Sequence, residues 1–185
     1  MKLEPFLTGY VAKYLDGMSG LGVEELNAAI NVVKKCIRED LAIYVGGNGG
    51  SAAISNHLCC DFIKGASAHT VSMSCNTPLI TMVANDMGYE HSLSYQLANA
   101  KHIGSVILVS SSGNSPNIIE AANWCRNHNI TLIGLTGFDG GKLKAMCDIS
   151  LHIPIKNYGV VEDCHQSIMH IISQYIHKGS EHVSK

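Results

Sequence analysis

The chain has 185 residues, 46% hydrophobic and 15% charged, which is one domain's worth with enough apolar surface for a core and excludes intrinsic disorder. A formal net charge of −2 offers no global basic field for nucleic acid or anionic lipid. No apolar run approaches the roughly 18 residues of a membrane span, so neither nucleic acid nor membrane is expected as a partner.

The first segment, MKLEPFLTGYVAKYLDG, carries Glu4 and Lys13 and lacks the long apolar stretch and small-residue cleavage site of a signal peptide. A short helix is predicted over residues 5–16. From 22 to 38, Val23, Leu26, Ile30, Val33 and Ile37 recur at steps of three and four, which is helical spacing. Together these form an N-terminal helical arm (1–38) ahead of an α/β core (39–185) within one domain.

Short β-rich apolar runs then occur at 41–46, 69–74, 105–110, 130–136 and 148–153. Helical stretches at 51–64, 78–98, 116–128 and 140–146 separate them, and a last helix covers 160–177. Near-continuous apolar strands alternating with helices predict a parallel sheet covered on both faces. The expected strand order is 2-1-3-4-5, a flavodoxin-like three-layer sandwich, with a ligand-binding switch point between the first and third strands. Seven cysteines, two of them the adjacent Cys59 and Cys60, form no CxxC pair. They read as reduced thiols, and a cytoplasmic location is expected.

The loops after those two strands are unusual. The first is Gly46-Gly47-Asn48-Gly49-Gly50-Ser51-Ala52-Ala53, where glycines admit a closely approaching ligand and the helix behind offers unpaired N–H groups. A dinucleotide site requires an acid at the end of the second strand, but that strand ends Ser74-Cys75-Asn76, and no Walker lysine follows the glycines. No nucleotide cofactor is therefore expected. The third strand runs into Ser110-Ser111-Ser112-Gly113-Asn114-Ser115-Pro116-Asn117, four hydroxyls ahead of a proline suited to a helix's first turn. Hydroxyls and helix N-terminal amides bind phosphate without any lysine or arginine. A Ser-rich turn with one helix cap is the plainer alternative; its position across the switch point from a glycine-rich loop favours a small phosphorylated ligand.

Four segments occur in order: Gly47 to Ala53, Ala84-Asn85-Asp86-Met87-Gly88-Tyr89, Ser110 to Asn117, and Leu135-Thr136-Gly137-Phe138-Asp139-Gly140-Gly141. Together they resemble the sugar isomerase (SIS) domain family, most closely its phosphoheptose isomerase branch. The resemblance covers nearly the whole chain. It implies an aldose–ketose isomerase acting on a sugar phosphate, with sedoheptulose 7-phosphate the expected substrate. It also implies a homotetramer with active sites at subunit interfaces, and a role in lipopolysaccharide or capsule synthesis. Substrate contacts carried over are Asn48, Gly49, Gly50, Ser51, Asp86, Ser110, Ser111, Ser112, Ser115 and Glu162.

Catalysis in that branch uses a helix motif H-x-x-x-E, present here as His57 and Asp61, and a motif Q-x7-H, present as Glu162 and His170. The resemblance makes Asp61 and His170 the acid–base pair, as moving a carbonyl between C1 and C2 requires proton transfer through an enediol. It also makes His57, Asp61, Glu162 and His170 a ligand set for a divalent cation, Zn2+ being expected. The chain departs from the pattern three times. Asp61 is one methylene shorter than the family glutamate, Glu162 replaces a glutamine, and Gly65, beside Lys64, stands where an arginine is expected.

Ordinary roles also fit these residues: His57 pairing with Asp61 on a polar helix face, Glu162 and Asp163 favouring a helix N-terminus, and His170 sitting in the core among Ile168, Met169, Ile171 and Ile172. Two other functions fit the sequence. One is an isomerase of another sugar phosphate. The other is a non-catalytic SIS module that senses a sugar phosphate or binds a replication initiator.

Overall fold

The structure is a computed structural model and describes residues 2–181. Within them, helices α1 (Leu3–Ser19) and α2 (Val23–Arg38) precede strand β1 (Ala42–Gly47), helix α3 (Gly50–Ala66) and strand β2 (Thr70–Ser72). Helix α4 (Thr77–Asp86), a 3-10 turn (Tyr89–His91) and helix α5 (Ser94–Ala98) lead to β3 (Ile103–Ser110). The chain continues through α6 (Pro116–Asn127), β4 (Thr131–Gly137), α7 (Gly141–Met146), β5 (Ile149–Ile153) and α8 (Tyr158–Glu181). The five strands form one sheet in the order β2-β1-β3-β4-β5, all pairs parallel. The expected sandwich and its switch point between β1 and β3 are both present.

Alternation along each strand divides the core. Ile107, Val109, Ile133 and Leu135 face α2, α3 and α8. Their neighbours Val106, Leu108 and Leu132 face α5, α6 and α7. Side chains of period two on a sheet buried on both faces require this near-continuous apolar sequence.

One expected element is broken. The single helix expected over 78–98 is α4, the 3-10 turn and α5. Gly88 stands at φ +108°, a conformation that terminates a helix and that glycine adopts without steric cost.

Helix α1 lies against the outside of α8, while α2 packs on the sheet. The Tyr10 hydroxyl donates to Asp163 Oδ2 at 2.7 Å, and Tyr14 shares a hydrogen bond with Ser167 at 2.8 Å. That bond to a carboxylate pushes the Tyr10 phenol up to about 12. The opposite side of α1 leaves Leu3, Leu7, Val11 and Leu15, at steps of four, exposed together with Phe6. No described helix is long and apolar enough to cross a membrane, and all seven cysteines are free.

Candidate active site

β1 and β3 deliver the two loops to the same end of the sheet, where a cavity of about 290 Å³ is lined by Asn48, Gly49, Gly50, Ser51, the serines 110, 111, 112 and 115, Tyr158 and Glu162. The glycine stretch and the hydroxyl cluster therefore converge. Gly49, at φ +54° and ψ −122°, turns the chain into α3 in a backbone conformation that a side chain rarely tolerates. Neither Gly49 before α3 nor Ser115 before α6 caps its helix with a side-chain hydrogen bond. Two helix N-termini thus present unpaired amides and positive dipole ends beside the cavity. The Ser111 hydroxyl is buried and bonded to no described residue. Such a group costs stability unless a ligand satisfies it. The two loops expected to hold an anion line one cavity, and among its lining residues none is cationic.

Across the switch point Asn48 and Asn117 pair through their amides. Nδ2 of Asn48 donates to Asn117 Oδ1 at 2.8 Å, and Nδ2 of Asn117 donates back to Asn48 Oδ1 at 2.9 Å. The Tyr89 hydroxyl donates to the same Asn48 oxygen at 2.7 Å. The turn after Gly88 is what brings Tyr89 there. Sequence reasoning missed Asn117 and Tyr89 as partners of Asn48. It also missed Tyr158, whose ring rests on Phe138 with centroids 4.7 Å apart. A hydrophilic residue just inside a helix and a tyrosine after a glycine carry no pattern of their own.

The acid–base candidates lie farther along the seam between α3 and α8. His170 Nδ1 stands 2.9 Å from Asp61 Oδ2, and His57 Nε2 stands 3.5 Å from Asp61 Oδ1. The two imidazole rings meet edge to face with centroids 5.1 Å apart, and the Gln166 amide nitrogen lies 3.1 Å from His170 Nε2. The His170 side chain is 39% exposed, so it is not a core histidine. Asp61, Lys64, Gly65, His170, Ser173, Gln174 and His177 line a second cleft of about 200 Å³.

His57, Asp61 and His170 each offer a ligand atom within 4.8 Å of the others. Asp61 Oδ2 is buried and, despite its closeness to His170, accepts no hydrogen bond of good geometry. A buried, unsatisfied carboxylate oxygen facing two imidazoles is a donor set that a divalent cation fits. Glu162, counted with these three from sequence, is placed elsewhere. Its carboxylate covers Gly50 so closely that a Cβ on that glycine would collide with it. Eight residues separate it from His170, about 12 Å of helix axis. Asp86, expected at the substrate, ends α4 exposed, its Oδ1 accepting from Asn85 Nδ2 at 2.7 Å, and it lines none of the described cavities.

The SIS domain family model matches residues 8–137. A phosphoheptose isomerase of Aneurinibacillus thermoaerophilus is 38% identical over 136 residues, 70% of this chain and 69% of that protein. One from Trichlorobacter lovleyi is 38% identical over 143 residues, covering 74% and 73%. The structure of a phosphoheptose isomerase from Neisseria gonorrhoeae superposes with a TM-score of 0.87 at 28% identity, covering 95% of this chain and 99% of that one.

Proposed function

The chain belongs to the SIS domain family, and from that premise we propose that it is a phosphoheptose isomerase, interconverting sedoheptulose 7-phosphate and D-glycero-D-manno-heptose 7-phosphate. The observation that carries this reading is the continuity of one seam. At one end two uncapped helix N-termini and five serine hydroxyls meet in the cavity. From that cavity, which α8 borders through Glu162, α3 and α8 run on to Asp61 and His170. Ser51 to Asp61 is ten residues of α3, about 15 Å, a span that suits a long sugar with phosphate at one end and carbonyl at the other.

The serine loop and the amides of α3 and α6 hold the phosphate. Glu162, at the inner edge of the cavity, accepts hydrogen bonds from sugar hydroxyls, as do the Asn48 and Tyr158 polar groups within their reach. Asp61 and His170 then exchange protons with the carbonyl end. One takes a proton from C1 of the ketose while the other gives a proton to O2, forming the 1,2-enediol. Return of a proton to C2 and loss of the O1 proton yield the aldose. His57, Asp61 and His170 are the residues that would hold a divalent cation such as Zn2+, with Glu162 outside the set. When bound, such an ion supplies Lewis acidity toward the carbonyl oxygens.

The exposed apolar side of α1 supports a homo-oligomer, a tetramer in this reading, since a stripe of five large side chains is buried most simply against another copy. Seven free thiols support a cytoplasmic enzyme, placed where heptose enters lipopolysaccharide or capsule synthesis. The test is turnover of sedoheptulose 7-phosphate by wild type and His170→Ala, with and without added Zn2+. Wild-type turnover lost in the variant is the expected result. Saturable binding of the sugar phosphate without turnover would instead make the chain a binding module.

A further inference from the structure

One turn below the Asp61–His170 contact, α3 and α8 meet at Gly65 and Ser173. A Cβ built on Gly65 would lie 2.7 Å from Ser173 Oγ, closer than real Cβ atoms come. That hydroxyl, in a residue only 5% exposed, donates to the Asp61 backbone carbonyl at 3.0 Å. Gly65 and Ser173 are therefore not merely neighbours of the pair. Gly65 is four residues beyond Asp61 on one helix, and Ser173 three beyond His170 on the other, so both contacts share one face of each helix.

We propose that Gly65 and Ser173 are positioning residues that set the α3–α8 separation at which the short Asp61 side chain reaches His170. Aspartate has one methylene between backbone and carboxylate, so its 2.9 Å approach to the imidazole requires the helix backbones to be near each other. The missing side chain at Gly65 supplies the room. The Ser173 hydroxyl fastens α8 to the carbonyl of the very residue being positioned. A Cβ at Gly65 either turns that hydroxyl away, leaving it buried and unpaired, or spreads the helices and withdraws Asp61 from His170. The absent side chain at residue 65 and the short one at residue 61 are thus one arrangement.

This inference rests on the acid–base role proposed for Asp61 and His170, and its test separates the two. Wild type, Gly65→Ala, Ser173→Ala and the double variant are compared for kcat and KM on sedoheptulose 7-phosphate, and for the NMR chemical shifts of the His170 ring. Displacement by a fraction of an ångström to 1 Å costs up to about 100-fold in rate. Gly65→Ala is therefore expected to lose at least about tenfold in kcat with KM within about twofold, and its His170 resonances to move. In the double variant the new methyl occupies the space the hydroxyl vacates, and both kcat and the resonances are expected to return toward those of Ser173→Ala. Wild-type kcat and unmoved His170 resonances in Gly65→Ala would overturn the proposal, as would a double variant no better than Gly65→Ala. If wild type turns over no sugar phosphate while the resonances follow the expected pattern, the spacing role stands and the isomerase reading falls.

Discussion

Asn48 and Asn117 satisfy each other's amides from the two loops that meet at the switch point, at 2.8 and 2.9 Å. Asn117 is 1% exposed, and its Nδ2 also reaches Ser92 Oγ at 3.3 Å, so the pair ties β1, β3 and the segment before α5 together. Asn117→Ala leaves Asn48 without its principal partner. A loss of about 1–3 kcal/mol in urea unfolding is expected. KM for the sugar phosphate should rise more than kcat falls, because Asn48 borders the cavity.

Ser111→Ala separates binding from stability. The hydroxyl is buried and unpaired, so its removal relieves a cost in the free protein. The melting temperature without ligand should be unchanged or slightly higher. Inorganic phosphate should stabilise wild type but shift the variant less, consistent with a loss of about 1 kcal/mol in binding. A phosphate-induced shift equal to that of wild type would remove Ser111 from the cradle.

His165 is fully buried, with Nε2 3.2 Å from the Thr136 carbonyl and Nδ1 unpaired. Burial pushes its imidazole down to about 4. The folded pKa lies below the unfolded value of about 6.5, so between these values the unfolded chain binds the extra proton. The contribution is fully present above about pH 6.5 and declines as pH falls toward 4, by about 1.4 kcal/mol per unit. Urea unfolding of wild type and His165→Gln from pH 7 to 4.5 checks this. The stability difference between them should shift in favour of the variant as pH falls.

Metal binding is tested directly by calorimetric titration of the metal-stripped protein with Zn2+. One ion per chain is expected for wild type, and none at comparable affinity for His57→Ala or Asp61→Asn. Glu162→Gln should retain the ion, because its carboxylate sits at Gly50 rather than with the two imidazoles.

Much of this architecture is legible in the sequence. Apolar runs such as SVILVS at 105–110 lack polar alternation because both faces of the sheet are covered, and the order 2-1-3-4-5 is the commonest winding of five parallel strands. The two loops that line the cavity stand out by composition. What stayed hidden depended on three-dimensional relations that spacing does not encode. Glu162 and His170 share a helix, yet eight residues of rise carry one to the cavity and the other to Asp61. The helix expected over 78–98 has suitable composition throughout, and one glycine at positive φ ends it and aims Tyr89 at Asn48. Gly65 looked like a missing arginine; only the position of Ser173 gives it a use.

The cradle's lack of a cationic side chain among its described residues has a consequence for selectivity. A lysine would welcome any anion, since a point charge answers charge alone. Hydroxyls and amides instead count acceptor oxygens. A phosphate monoester presents three terminal oxygens and satisfies them, whereas an aldonic or uronic acid presents two on a flat carboxylate and leaves buried donors orphaned. On the proposed reading, sugar acids of similar length and charge are expected to bind more weakly than sugar phosphates.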